Sequence, residues 1–202
     1  MIIISKRKKN HPLASLTGFT LVELIVSIAI LATISGLFLA NYSSLRKRAG
    51  LPAAANKLAS DIRTAQSYAL GAKKINNQIP LGGWGIYLRR NQSEYTIFAD
   101  DGTGGGADAE KHDNFDTDYR IFCFAGEVGS CNSTITINTL TGFDNANSGS
   151  IVFLPPDPIV YFDGQQAAKE STDPSVTITL RDSSTGDFKN VVINFFGLVE
   201  VE

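Results

Sequence analysis

The sequence predicts an α+β fold: a long N-terminal helix, membrane-spanning in its first half and amphipathic in its second, packed on an antiparallel β-sheet domain. Three observations carry that prediction. An apolar run fills Phe19–Ala40, and a stripe of small and aliphatic residues at helical spacing fills Leu51–Ala69. From Trp84 onward the pattern changes to alternation and short apolar runs.

At 202 residues and 21.7 kDa the chain holds one globular domain with an appendage. The net charge of −2 hides a polarity along the chain. The first eighteen residues contain four cations, Lys6, Arg7, Lys8 and Lys9, and no acid. Beyond them 14 Lys and Arg face 20 Asp and Glu, a net of −6, which disfavours tight binding through nucleic-acid phosphates. Two histidines, His11 and His112, are too few for a multi-histidine metal site.

The 22 residues of Phe19–Ala40 give about 33 Å of helix, enough to cross a bilayer core. The preceding cations stay on the cytoplasmic side and send the remainder outside. A secretory signal peptide would need a shorter apolar stretch and small residues at its cleavage site. Phe38 stands where the outer small residue belongs, so an anchor is preferred. Glu23 is the feature a plain anchor does not explain, because a carboxylate at such a position costs about 2–3 kcal/mol unless it finds a partner.

Ser15-Leu16-Thr17 followed by Gly18-Phe19-Thr20-Leu21-Val22-Glu23 resembles the prepilin peptidase recognition site of type IV pilins and type II secretion pseudopilins. The resemblance implies a leader at 1–18, cleavage after Gly18 on the cytoplasmic face and N-methylation of Phe19. It also implies an inner-membrane location, with prepilin peptidase, other pilin or pseudopilin subunits, an assembly platform and membrane lipid as partners. The residue chemistry is coherent with this. Gly18 lets an extended backbone enter a protease cleft. Cleavage frees an amine at Phe19, methylation keeps its charge, and Glu23 of one subunit can pair with the amine of a neighbour. Many pilins carry a proline near the outer end of this run; here none occurs, and either Gly36 softens the helix or it stays straight.

Leu51, Ala55, Leu58, Ile62, Ala65 and Ala69 are spaced 4, 3, 4, 3, 4, one face of a helix, and Lys57, Asp61, Arg63 and Lys73 fall off it. The sequence thus predicts an amphipathic helix over 41–71, broken or kinked near Gly50-Leu51 ahead of Pro52 and ending near Gly71. The wording Ala54–Ala69, with Gly83–Leu88 and Tyr95–Asp100, is similar to minor pseudopilins of the GspH/FimT type. That resemblance covers roughly the first hundred residues.

Over 72–202 the expected strands are Gly85–Leu88, Tyr95–Phe98, Arg120–Phe124, Thr134–Leu140, Ser150–Leu154, Ile159–Phe162, Val176–Leu180, Val191–Phe195 and Leu198–Val201. Polar Gly164–Pro174 reads as a surface loop. Outside the cytoplasm, Cys123 and Cys131 are expected to form a disulfide closing a short loop, with about 2–3 kcal/mol of stabilisation. A metal or redox role would need further ligands or C-x-x-C spacing. The acidic stretch with Asp100, Asp101 and Asp108 is the one candidate for calcium, though its spacing matches no EF-hand and a solvated loop is the preferred reading.

No nucleophile motif occurs, His112 stands alone once the leader is removed, and no cofactor is implied. The function expected is therefore that of a minor pilin or pseudopilin subunit, not an enzyme. The alternatives are a DNA-binding receptor at a pilus tip and a membrane-tethered hydrolase. Nucleic acid is an unfavoured partner, because Glu200 and Glu202 stand where a basic tail would be needed and Arg181 and Lys189 are too few for a phosphate track.

Overall fold

A computed structural model describes residues 18–102, 112, 117–124, 131, 133–155, 159–163, 165–166 and 175–202. The chain divides into two compact units, Met1–Ser43 and Ser44–Glu202. The architecture is α+β, an N-terminal apolar helix followed by antiparallel sheets.

Helix α1 is assigned over Leu21–Leu70. Within the first unit, Leu21–Leu39 has a mean hydropathy of 2.3 and none of its residues is buried. This segment is long and apolar enough to cross a membrane, by length and composition.

Of the break or kink expected near Gly50-Leu51, the break is absent, for α1 continues through Gly50, Leu51 and Pro52. Pro52 removes one backbone hydrogen bond, a cost of about 3 kcal/mol in a helix interior. Burial of the flanking Leu51, Ala54 and Ala55 in the apolar cluster offsets it. The helix ends at Leu70, but the residue that turns the chain is not the glycine. Ala72 takes the left-handed conformation with φ 46°. Its N–H donates to Ala69 O at 3.0 Å and that of Lys73 to Tyr68 O at 2.9 Å, the paired bonds of a Schellman cap.

Ten strands follow: β1 Gly83–Arg89, β2 Glu94–Asp100, β3 Thr117–Cys123, β4 Ile135–Thr141, β5 Ser148–Leu154, β6 Ile159–Phe162, β7 Gln165–Gln166, β8 Ser175–Asp182, β9 Phe188–Asn194 and β10 Val199–Val201. They form a six-stranded sheet in the order β3-β2-β1-β5-β6-β7 and a four-stranded sheet in the order β10-β9-β8-β4, with every pairing antiparallel. The loop expected over Gly164–Pro174 is corrected at its start, where Gln165 and Gln166 pair with Phe162 and Tyr161. The rest of that loop lies outside the described residues.

Alternation explains the strands. Along β8, Val176, Ile178 and Leu180 are buried while Thr177 and Thr179 between them are half-buried. These residues share one apolar cluster with Leu58 and Ile62 of the helix and with Trp84, Ile86 and Ile151 of the larger sheet. Gly85 leaves room on the opposite face of that sheet, since a Cβ there would stand 2.6 Å from the Phe98 ring. The turn after β1 has a second task. Asn91 N–H donates to Ile137 O at 2.7 Å and Ile137 N–H to Gln92 O at 3.0 Å, so the turn covers the edge strand β4.

Asp61 and Asp163 find partners within this unit. Lys57 Nζ lies 3.2 Å from Asp61 Oδ2, to which the Tyr95 hydroxyl also donates. Burial, reinforced by the Asp61 carboxylate, pushes the Tyr95 hydroxyl pKa upward. Asp163 is buried and accepts the N–H of Ser150 at 2.7 Å and that of Asp144 at 2.9 Å.

Candidate functional site

The N-terminal motif sits at the start of α1. Thr20 precedes the helix, its hydroxyl oxygen accepts the N–H of Glu23 at 3.3 Å, and its carbonyl accepts the N–H of Leu24 at 3.2 Å. Thr20 is therefore the N-cap, and Glu23 occupies the third helical position, where the positive end of the helix favours a carboxylate. Thr-x-x-Glu is the sequence signature of a capping box, and this local role of Glu23 was legible in the sequence but not drawn from it.

Two hydroxyls farther along the span are satisfied by the helix itself. Ser27 Oγ donates to Glu23 O at 2.7 Å, and Thr33 Oγ1 donates to Ile30 O at 2.8 Å. The Glu23 side chain differs, because no hydrogen bond or ion pair to it is found among the described residues. Gly18 and Gly36 have open space where a Cβ would stand, so the described packing does not demand glycine at either position. Phe19 is 80 % exposed. Gly18, Phe19 and Glu23 thus lie together at one exposed helix end, with Ser15, Leu16 and Thr17 outside the described residues.

Cys123 and Cys131 are joined in a disulfide with Cα atoms 5.4 Å apart. Ser93 Oγ donates to Cys131 O at 2.9 Å and ties the far end of that loop to the start of β2.

The acidic stretch requires a correction where it leaves β2. Asp100, read as part of a solvated loop, is 2 % exposed. Its Oδ1 accepts the N–H of Gly102 at 2.7 Å and its carbonyl accepts that of Gly82 at 3.0 Å, so it shapes the turn. Asp101 is half-buried, and Asp108 lies outside the described residues. No group of three His, Cys, Asp or Glu suited to a metal is found among the described residues. His112 stacks on Tyr87 with ring centroids 4.3 Å apart and meets Phe98 edge-on at 4.7 Å, on the same face as Gly85.

Shallow clefts indent the sheet unit. One, of about 190 Å³, includes Tyr87, Arg89, Glu94 and His112; another, of about 150 Å³, includes Ile79, Leu81 and Asp101. Among the described residues, the first is lined by one carboxylate, Glu94, and the second by one, Asp101. Arg181 and Lys189 stand at the turn end of the β8–β9 pair, where the Arg181 guanidinium lies 5.6 Å from the centre of the exposed Phe188 ring.

No family model, curated protein or solved structure matches this chain.

Proposed function

We propose that this chain is a minor pilin-like subunit, inserted with its N-terminus in the cytoplasm, cleaved after Gly18, methylated on Phe19 and stacked helix by helix into a type II secretion pseudopilus or type IV pilus. In this reading α1 is the long helix of the subunit, anchored in the inner membrane through its first half and packed on the sheets through Leu51–Ala69. The observation that carries it is Glu23. In a span where Ser27 and Thr33 are satisfied by their own helix, the one carboxylate has no side-chain partner among the described residues. A neighbouring subunit bringing the cleaved amine of Phe19 supplies that partner, and a misplaced subunit forfeits it.

The capping geometry fits the same scheme. Cleavage would place the new amine next to the N-cap Thr20, where the positive end of the helix repels it. Glu23 at the third position answers both charges. The experiment is Glu23→Ala in a secreting or piliated host. Cleavage should proceed, as judged by the size of the mature chain, while recovery of the subunit in sheared filaments should fall to background. Undiminished assembly of Glu23→Ala would contradict the proposed role.

A further inference from the structure

Three aromatic residues from three elements converge beside the end of α1: Tyr68 of the helix, Trp84 of β1 and Tyr119 of β3. Their ring centroids are 5.1 Å apart for Tyr68–Trp84, 5.2 Å for Trp84–Tyr119 and 5.7 Å for Tyr68–Tyr119. The interplanar angles of 67°, 88° and 85° make the three rings nearly perpendicular to one another. Such edge-to-face contacts are mutually favourable and present ring faces toward a common point.

Lys73 reaches into that arrangement. Its Nζ lies 3.4 Å from the centre of the Tyr68 ring, 4.0 Å from that of Tyr119 and 5.5 Å from that of Trp84. The same nitrogen donates to the Tyr119 hydroxyl at 2.7 Å. The backbone of Lys73 is held as well, its N–H by Tyr68 O at 2.9 Å and its carbonyl by Trp84 Nε1 at 3.1 Å. No ion pair to Lys73 is found among the described residues, where the cation meets the Tyr68 ring face and the Tyr119 hydroxyl. Burial pulls the Lys73 pKa down, but the hydroxyls of Tyr119 and Tyr68 outweigh it and the pKa is raised. The same bond from Lys73 lowers the pKa of the Tyr119 phenol.

We propose that Tyr68, Trp84 and Tyr119 form a cage for alkylammonium groups, which the chain fills with its own Lys73. The Tyr68 face at 3.4 Å, the Tyr119 hydroxyl at 2.7 Å and the more distant Trp84 ring at 5.5 Å together attract an organic cation and give a neutral group of equal size only weaker contacts. A hard metal ion would lose its hydration shell there without carboxylates to replace it. The cage therefore selects ammonium by charge. Its occupant fastens the beginning of the α1–β1 connection to β3.

The test uses the full-length chain in detergent. In the wild-type chain the Lys73 ε-methylene protons should resonate well upfield of ordinary lysine, shifted by the stacked ring currents; an ordinary position would overturn the proposal. Lys73→Ala then opens the cage, and Trp84, the one tryptophan of the chain, reports on it by fluorescence. Methylammonium or tetramethylammonium should give a saturable change, with affinity about tenfold or more above that of neutral tert-butanol. A preference for methylammonium assigns the cage to lysine-type amines, and a preference for tetramethylammonium to quaternary groups. Adding Tyr119→Ala should remove the response. No saturation, or an equal response to tert-butanol, would contradict the cage. Should Lys73→Ala fail to fold, the wild-type methylene resonance decides alone.

Discussion

In the second unit, the Asp61 and Asp163 carboxylates meet partners from the same chain; in the first, the Glu23 carboxylate meets none among the described residues. Asp163 collects two backbone donors, and Asp61 receives Lys57 and Tyr95. By contrast Glu23 has no side-chain partner among the described residues, Gly18 and Gly36 border open space, and no residue of apolar Leu21–Leu39 is buried. The difference separates residues chosen for this fold from residues whose reason lies outside it: lipid, a peptidase and a neighbouring helix on the reading proposed above.

Substitutions sharpen that division. The largest effect is expected at Gly18, where Gly18→Val leaves the described packing untouched because a Cβ meets nothing within 4 Å. Its consequence should nonetheless be complete, an uncleaved precursor on a denaturing gel. A normally sized product would move Gly18 back among residues with no external task.

Asp163→Asn probes the opposite region. The charged acceptor is lost while the side chain keeps nearly its size, and the left-handed φ of 51° remains acceptable to Asn. Unfolding in denaturant should show a loss of about 1–3 kcal/mol. An unchanged midpoint would mean that the carboxylate is not what those backbone donors need.

Tyr95 gives a signature in pH. The fold holds its proton more tightly than the unfolded chain, whose phenol titrates near 10, so the contribution is fully present below about pH 10 and is lost as pH rises above it. Tyr95→Phe should flatten the alkaline decline in stability measured by thermal melts. At neutral pH it should cost about 1 kcal/mol for the lost bond to Asp61. A decline as steep as that of the wild type would assign the alkaline loss to other groups. The smallest effect is expected at Ala72. Its left-handed conformation suits glycine better, and Ala72→Gly should raise stability by about 0.5–1 kcal/mol in the same denaturant measurement.

What the sequence disclosed follows the same line. Periodic residues were legible: the alternation of Val176, Ile178 and Leu180 and the spacing of Leu58, Ile62 and Ala65 correspond to the observed burial. Residues whose role depends on tertiary neighbours were not. Pro52 signals a break locally, and only the burial of Leu51 and Ala55 keeps it within the helix. Gln165 and Gln166 carry no apolar alternation, since a two-residue edge strand gains its structure from pairing with β6. Gly71 stood as the natural stop, yet the turn falls on Ala72, because the bonds to Ala69 and Tyr68 fix which residue must invert. Tyr68, Lys73, Trp84 and Tyr119 are scattered along the chain, and no spacing joins them before the sheet does. On the reading proposed above, Gly18, Phe19 and Glu23 form a linear motif, which other molecules would read along the chain itself. The capping role of Thr20 was equally visible in Thr-x-x-Glu.

The pairing of Glu23 with a proteolytically exposed amine is the claim on which the functional reading depends. Mass spectrometry of the protein extracted from membranes of a host with prepilin peptidase tests it most directly. The account predicts a chain that begins at Phe19 and is heavier by one methyl group on its terminal nitrogen. A chain that retains Met1 and the leader cations, with no shortened form, would contradict it.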